Sequence, residues 1–405
     1  MKKLLNLLIL AAIVASCAQE PGTLKKVSPE SVGMNSEKLS QIDREVALAI
    51  EEGNIPGAVV SVVRGDKIVY LKAYGNKQVY PDTIPMTVET IFDMASCSKC
   101  IGTTLSFMQL IENGYVRLTD DVDMYIPGYK PWVDPETGKK VDITVQDVMT
   151  HTSGIAPYIA TAQYLERFGP DSPDSLIWHI ANEVKRNFRP KTGYMYSCLN
   201  FVTVQNILQN ITGMKLEDYA EQNVFGKLGL KHTCYEPKKR HPELMPLVAP
   251  TEVQEDGTCL LGEVHDPLAR LCNSGNSGNA GVFTNAEDAS VICAAIMNGG
   301  AVNGRRILSP ATVETMATVP EDNDPWIGRA LGWDNRSSAA GLRGDLFSRT
   351  RTICHTGYTG TSIIMDLDSK TAVIVFAHRV HPKDEGGTGK LRARIANIVA
   401  GSIEE

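Results

Sequence analysis

The segment Phe92-Asp93-Met94-Ala95-Ser96-Cys97-Ser98-Lys99 places a serine three residues before a lysine, at a predicted helix start. One helical turn brings side chains with this spacing to the same face. A serine hydroxyl is a weak nucleophile until a neighbouring group takes its proton, and a desolvated lysine can do so. Ser96 is therefore a candidate nucleophile and Lys99 its activator. Alone, the spacing is more typical of a helix start with a solvated lysine than of a catalytic pair.

Two further motifs lie downstream, and their order is informative. Tyr196-Ser197-Cys198 follows the serine-lysine segment, and His355-Thr356-Gly357 follows the tyrosine. In this order the three motifs resemble those of the serine β-lactamase and penicillin-binding-protein superfamily, in its class C β-lactamase-like branch of esterases and peptidases. The resemblance runs from about Ser28 to the C-terminus. Further matching stretches are Thr150 to Gly154, Gly262 to Asp266, Ala280 to Phe283 and His355 to Thr361.

The resemblance implies a set of catalytic roles. Ser96 would attack a carbonyl carbon and form an acyl-enzyme that water hydrolyses. Lys99 and Tyr196 would share the proton transfers, and the sequence leaves open which of them is the base. His355 completes the catalytic set. The oxyanion would be held by the backbone N–H groups of Ser96 and Tyr358.

The predicted substrate contacts are Cys198, Thr356 and Gly357, and they include a departure from the family pattern. Class C β-lactamases commonly have asparagine at the position of Cys198, and a thiol is a weak donor that cannot replace an amide. Many β-lactamases have lysine where this chain has His355, and histidine is mostly neutral near pH 7. Both changes favour esters over penicillins as substrates. The remaining candidates for a cationic anchor, by proximity in sequence, are Arg351 and Arg379.

Three functional hypotheses follow. The first is an exported, lipid-anchored serine hydrolase, an esterase or an amidase/peptidase, acting on a small-molecule ester, amide or peptide. The second is a penicillin-binding protein, a DD-peptidase or a weak class C β-lactamase, and the third is a catalytically idle binding protein. The formal net charge of -7 argues against nucleic acid as a partner, because a phosphate backbone needs a basic face. No cofactor or metal is expected, and a monomer is expected.

The first 17 residues are interpreted as a targeting segment. Lys2 and Lys3 precede an apolar run from Leu4 to Val14 that is too short to span a bilayer. Val14-Ala15-Ser16-Cys17 resembles the lipobox of bacterial lipoproteins, which implies acylation of Cys17 after cleavage. An ordinary secretory signal is the alternative. Either interpretation makes the mature chain an exported protein, with the lipoprotein anchored to a membrane on the periplasmic or cell-surface side.

The other cysteines and two histidines have simpler interpretations. Cys97 and Cys100 have the spacing of redox and zinc motifs, but no second ligand pair accompanies them, which favours packing. Cys198 and Cys354 each adjoin a site motif, so a disulfide between them is an open alternative. The histidines His151 and His265 are interpreted as structural residues that bond loops.

The predicted fold is an α/β (α+β) β-lactamase/DD-peptidase-like architecture. It has an antiparallel sheet built from both termini and flanked by helices, with an inserted all-helical subdomain. The predicted divisions are a signal peptide at 1–17, a linker at 18–35, a sheet-containing subdomain at 36–99 with 306–405, and a helical subdomain at 100–305. Hydrophobic periodicity predicts strands over 58–63, 67–74, 362–367 and 372–376, and helices over 36–52, 101–113, 199–211 and 391–399.

We predict that the mature protein begins at an acylated Cys17 and partitions with membranes. Mass spectrometry of the N-terminal peptide after detergent extraction checks this, and Cys17→Ser should release the protein into the soluble fraction. Soluble wild-type protein with its N-terminus elsewhere would refute the lipoprotein interpretation.

Overall fold

A sheet whose strands come from both ends of the chain organises the molecule. The computed structural model describes residues 21–323, 326–335 and 338–404, so Cys17 and the predicted signal peptide lie outside the described residues. The strands are β1 Lys25–Lys26, β2 Gly57–Arg64, β3 Lys67–Gln78, β4 Ile84–Pro85, β5 Phe92–Asp93, β6 Trp132–Val133, β7 Lys140–Val141, β8 Cys234–Tyr235, β9 Val282–Thr284, β10 Ala301–Val302, β11 Arg305–Arg306, β12 Thr352–Thr356, β13 Ser362–Asp366 and β14 Thr371–Ala377.

The main sheet has seven strands in the order β1-β3-β2-β14-β13-β12, with β4 added to β3. Its pairs are antiparallel except β1, which runs parallel to β3. Strands β2 and β3 form the predicted hairpin, with Gly65 in the left-handed region at φ 62°. Because C-terminal β14 pairs with N-terminal β2, the sheet is complete only when both ends of the chain are in place. The predicted fold class is confirmed.

Helices cover the sheet and make up most of the inserted region. The α-helices are α1 Ser36–Ser40, α2 Ile42–Glu51, α3 Leu105–Glu112, α4 Val145–Met149, α5 Thr161–Phe168, α6 Pro173–Asn182, α7 Cys198–Thr212, α8 Leu216–Ala220, α9 Gly226–Leu228, α10 Pro237–Arg240, α11 Ala286–Met297, α12 Pro310–Ala317 and α13 Gly389–Gly401. Shorter 3-10 segments are Pro29–Val32, Ala95–Cys97, Val122–Met124, Pro242–Leu247 and Ser338–Arg343, and π-helical segments are Lys99–Thr104, Glu221–Phe225 and Leu268–Cys272. No helix in these described ranges has the length and apolar character needed to cross a bilayer.

Two predicted helices differ in detail from the observed ones. The helix predicted over 36–52 is divided into α1 and α2, and its N-cap is Asn35, whose side chain accepts the Lys38 N–H at 2.9 Å. The helix predicted from residue 101 begins as a π-helix, in which the Thr104 hydroxyl bonds the Lys99 carbonyl at 2.7 Å. Periodicity detects the apolar face but not such local bonds.

Hydrophobic side chains pack on both faces of the sheet. On the outer face, α2 and α13 contribute Ile42, Val46, Ile395 and Val399 to one core. On the inner face, a larger core joins the sheet to the inserted region. The prediction that this region is all helical is wrong, because it contains the strands β8 and β9. Strand β9 pairs with β8 and also with β5. The pairing attaches the inserted region to the strand that directly precedes Ser96.

We predict that Phe376→Ala lowers the free energy of unfolding by about 3 to 5 kcal/mol, the usual cost of a large cavity. Phe376 is fully buried, and its ring centroid lies 5.7 Å from that of Phe92 on β5. Urea denaturation followed by circular dichroism measures the change. Tyr115→Ala, at a side chain that is 63% exposed, is the matched control and should change stability little. Equal effects in both variants would contradict the packing argument.

Candidate active site

Ser96 lies in a strained turn between β5 and the π-helix. Ala95 has a positive φ of 44°, a conformation that residues with a Cβ rarely adopt. The buried Asp93 carboxylate stabilises it by accepting the Ala95 N–H at 2.8 Å and the His265 N–H at 2.7 Å. Asp93 therefore ties the nucleophile turn to the loop that contains His265.

Lys99 is fully buried beside the serine, as its spacing predicts. Its ammonium donates to Ser96 Oγ at 3.0 Å, to the Asn279 carbonyl at 2.9 Å and to Cys198 Sγ at 3.6 Å. Burial lowers the pKa of Lys99, but its neighbours Cys198 and Tyr196 raise it, and the net shift is upward. Lys99 is therefore charged at neutral pH, which agrees with its use of three acceptors.

Tyr196 completes this group with a buried hydroxyl. The Lys99 Nζ lies 5.0 Å from the centre of the Tyr196 ring. The Tyr196 hydroxyl has no hydrogen-bond partner among the described residues. Burial raises the pKa of Tyr196 to about 12, although Lys99 and Ser96 act in the opposite direction. A neutral phenol beside an ammonium is the resting arrangement.

His151 packs against the ring of Tyr196 and bonds the backbone next to it. Its ring centroid is 4.5 Å from that of Tyr196, and its Nδ1 accepts the Ser197 N–H at 3.1 Å. The His151 carbonyl accepts the Met195 N–H at 3.1 Å. Burial, with nearby positive charge, holds the pKa of His151 well below its usual range. The residue thus bonds the loop on both sides of Tyr196 while staying neutral.

His355 faces the tyrosine from β12, with the two ring centroids 6.0 Å apart. Its Nδ1 lies 2.9 Å from the Thr356 carbonyl, which can only accept, so Nδ1 carries the proton and Nε2 is a free acceptor. Burial lowers the pKa of His355 well below its usual value, and the charges of Arg329 and Lys99 add to this. His355 is therefore neutral, and its Nε2 has no partner among the described residues.

The turn after β12 docks against the nucleophile segment. The Thr359 hydroxyl donates to the Asp93 carbonyl at 2.8 Å, and the Thr361 hydroxyl donates to the Met94 carbonyl at 3.2 Å. A Cβ on Gly357 would lie 2.4 Å from the Met94 carbonyl oxygen, so only glycine fits. This close contact brings the backbone before Tyr358, a predicted oxyanion donor, next to that of Ser96.

These elements surround a cavity of about 410 Å³. Its lining includes the predicted residues Ser96, Tyr196, His355, Thr356, Gly357 and Tyr358. Cys198, predicted to bind substrate, contacts Lys99 instead and is not part of the lining. The other lining residues are Tyr194, Arg329, Asp334, Leu342, Cys354, Arg379 and Arg392.

The two arginines proposed as cationic anchors have other partners, and a third was missed. Arg351 forms a two-point ion pair with Glu314 at 2.6 and 3.0 Å and does not line the cavity. Arg379 lines the rim and is paired with Asp384 at 2.6 Å. Arg329, only 2% exposed, lines the interior. No sequence motif marks this arginine, and its burial in the cavity wall reveals it.

The cysteines of the described ranges are all free, so Cys198 and Cys354 are not bridged. Cys97 and Cys100 are buried and pack in the inner core. No cluster of histidine, cysteine or acidic side chains suited to a metal occurs within the part of the chain that the structure describes. His265 stacks on Tyr358, with ring centroids 5.8 Å apart, and bonds Glu252 at 3.1 Å.

Comparisons with known proteins agree with this geometry. Residues 42–397 match the β-lactamase family. The chain is 27% identical to a protein of Escherichia coli strain K12 named "Putative D-alanyl-D-alanine carboxypeptidase", covering 93% of this chain and 91% of the relative. It is 28% identical to the N-acetylmuramyl-L-alanine amidase of Bacillus subtilis strain 168, covering 90% and 87%.

Solved structures show the same fold at lower identity. EstCE1, a hydrolase with promiscuous acyltransferase activity, superposes with a TM-score of 0.71 at 21% identity, covering 90% of this chain and 99% of that one. The octameric penicillin-binding protein homologue from Pyrococcus abyssi superposes with a TM-score of 0.68 at 18% identity, covering 91% and 78%.

We predict that kcat/KM for a neutral ester rises steadily from pH 6 to pH 9 in the wild type. If Tyr196 is the base, its ionised fraction increases with each unit of pH in this range, because its pKa is raised to about 12. Tyr196→Phe should lower the rate by about 100-fold or more and remove this rise, whereas Tyr115→Phe, at an exposed site, should do neither. If kcat/KM instead reaches a plateau above an inflection near pH 6.5, the titrating group is a histidine and the prediction is wrong.

Proposed function

Because the chain belongs to the β-lactamase family of serine hydrolases, we propose that it hydrolyses an ester or amide through an acyl-enzyme on Ser96. The observation that carries this proposal is the 3.0 Å contact between Lys99 Nζ and Ser96 Oγ at the wall of the cavity. The nearby Tyr196 hydroxyl supplies a second proton-transfer group. A catalytically idle binding protein is disfavoured because these three groups lie together.

The proposed reaction begins with attack of Ser96 Oγ on the substrate carbonyl carbon. The serine proton passes to the base, and the carbonyl oxygen becomes an oxyanion held by the Ser96 and Tyr358 backbone N–H groups. Collapse breaks the bond to the leaving group, which takes the proton from the base. Water then attacks the acyl-enzyme by the same route and releases the acid.

Tyr196 is the proposed base, assisted by Lys99. Both groups are protonated at neutral pH, so proton abstraction draws on the small fraction of the enzyme in which Tyr196 is ionised, and the raised pKa of Lys99 keeps its ammonium protonated in that fraction. This ammonium can stabilise the Tyr196 phenolate across the short distance between them. The neutral His355 would then orient substrate through Nε2 rather than carry charge.

The substrate proposal is an ester or a peptide-like amide. The relatives named as a carboxypeptidase and an amidase cleave amide-type bonds by their names, whereas EstCE1 is named as a hydrolase with acyltransferase activity. The thiol at Cys198, which contacts Lys99, leaves no amide at this position to hold a penicillin side chain. Export and lipid anchoring at Cys17 remain our proposal from the N-terminal pattern.

We predict that Ser96 is the sole residue phosphonylated by a fluorophosphonate probe, with fluoride as the leaving group. Mass spectrometry of the labelled peptide checks this, and Ser96→Ala should abolish labelling because the nucleophile is lost. Ser40→Ala, an exposed serine outside the cavity, is the matched control and should label as the wild type does. Competition by esters, D-amino peptides and penicillin G then ranks the substrate classes. Labelling that survives Ser96→Ala would remove the proposed mechanism.

A further inference from the structure

The first described residues of the chain lie against two segments that are remote in sequence. Gly22, with a φ of 79°, packs so closely that a Cβ there would lie 1.9 Å from the Gly229 carbonyl oxygen. The Asn303 side chain donates to the Thr23 carbonyl at 2.8 Å. The start of the described chain is therefore fixed against the turn that follows α9 and against the β10–β11 hairpin.

Basic side chains gather where these three segments meet. The Arg305 guanidinium donates to the Lys227 carbonyl at 3.1 Å, which joins the hairpin to α9. All of the basic side chains here except that of Arg305 are exposed. We call this region the basic surface and define it by Lys25, Lys26, Lys227, Lys231, Arg305 and Arg306.

The carboxylates beside the basic surface are fewer than its cations. Lys26 pairs with Glu287 at 2.7 Å. Asp288 and Glu112 each accept a backbone N–H nearby. The basic surface therefore keeps an excess of positive charge, although the formal net charge of the chain is -7. A positive surface on an acidic protein attracts an anionic partner to that side of the molecule.

The position of the N-terminal segment identifies a lipid bilayer as this partner. Only the residues 18–20 separate Cys17, the proposed site of acylation, from Pro21, the first described residue. A fully extended chain covers at most about 14 Å between those two residues, which is close to the Debye length of about 10 Å at 0.1 M salt. An acylated Cys17 would therefore hold the basic surface at a high effective concentration beside the lipid headgroups.

We propose that the basic surface rests on the headgroups of anionic lipids, with the catalytic cavity on the far side of the molecule. Anionic lipids attract Lys and Arg side chains close to a membrane. The main sheet sets the separation, since β1 is one edge strand and β12, which carries His355, is the other. Five strand spacings place these edges about 24 Å apart. The inference rests on the proposed lipid anchor at Cys17, and it adds a lipid class and an orientation in which the cavity takes substrates from the aqueous phase.

Lysine acetylation of the purified, full mature protein tests this orientation. The protein is reconstituted into vesicles of phosphatidylcholine, or of phosphatidylcholine and phosphatidylglycerol in equal parts, and treated briefly with the uncharged reagent N-hydroxysuccinimidyl acetate. Mass spectrometry then gives the rate at each lysine. We expect the lysines of the basic surface to react at least about fivefold more slowly in the mixed vesicles. Lys383, exposed beside the Asp384 that pairs with Arg379 at the cavity rim, should keep its rate. Equal rates in both vesicles, or protection of Lys383, would overturn the proposal.

Charge reversals test whether the basic surface causes the orientation. The variant Lys25→Glu with Lys227→Glu and Lys231→Glu changes three exposed lysines and leaves Lys26 as the reporter. We expect the protection of Lys26 in mixed vesicles to be lost in this variant, and also in the wild type at high salt, where headgroup charge is screened. Protection of Lys26 that survives the three reversals would overturn the proposal.

A matched control changes the net charge by the same amount elsewhere. The variant Lys139→Glu with Lys185→Glu and Lys383→Glu alters exposed lysines outside the basic surface. It should keep the wild-type protection of Lys26. Equal loss of protection in both variants would mean that overall charge, rather than the basic surface, governs the contact, and would refute the proposed docking surface.

A separate measurement distinguishes this inference from the anchor on which it rests. If the N-terminal peptide of the purified protein carries no acyl chain at Cys17, the anchor proposal fails. The basic surface is then decided by flotation of the same protein with the mixed vesicles at low salt. Flotation that falls at least about tenfold on the three reversals would support the lipid contact. Absent flotation, or flotation insensitive to those charges, would overturn it. An acylated protein without charge-dependent protection would leave the anchor in place and refute only the docking surface.

Discussion

The buried ammonium of Lys99 must find all of its hydrogen-bond acceptors inside the protein, because a charge removed from water without partners costs several kcal/mol. It finds Ser96 Oγ, the Asn279 carbonyl and Cys198 Sγ. These acceptors come from the nucleophile turn, from a loop before β9 and from the start of α7. The three segments are therefore tied to one position, so the interaction that places the lysine for catalysis also constrains the fold around it.

The candidate active site lies at the interface between the sheet and the inserted region. Strand β5 pairs with β9 of the inserted region, and the turn after β12 bonds the carbonyls of Asp93 and Met94. The absence of a side chain at Gly357 allows that turn to approach the nucleophile backbone. Ser96 therefore depends on contacts from both subdomains, and the positive φ of Ala95 persists because these contacts determine it from several sides.

Several unpaired buried polar atoms lie at this interface. The Tyr196 hydroxyl, His355 Nε2 and two Arg329 nitrogens have no partner among the described residues, and all three residues line one cavity. Most buried polar atoms in proteins are bonded, so these unpaired donors and acceptors are groups that a ligand would satisfy by forming hydrogen bonds.

The sequence by itself determined the three motifs, the hairpin, the sheet shared by both termini and the nucleophile–lysine pair, because each depends on local spacing or periodicity. It did not reveal the break between α1 and α2 or the π-helix after Ser96, which depend on single side-chain bonds to the backbone. Arg329 was also missed, and two more visible arginines were named in its place. Only the tertiary structure placed that residue in the cavity wall, since burial arises from contacts between segments far apart in the chain.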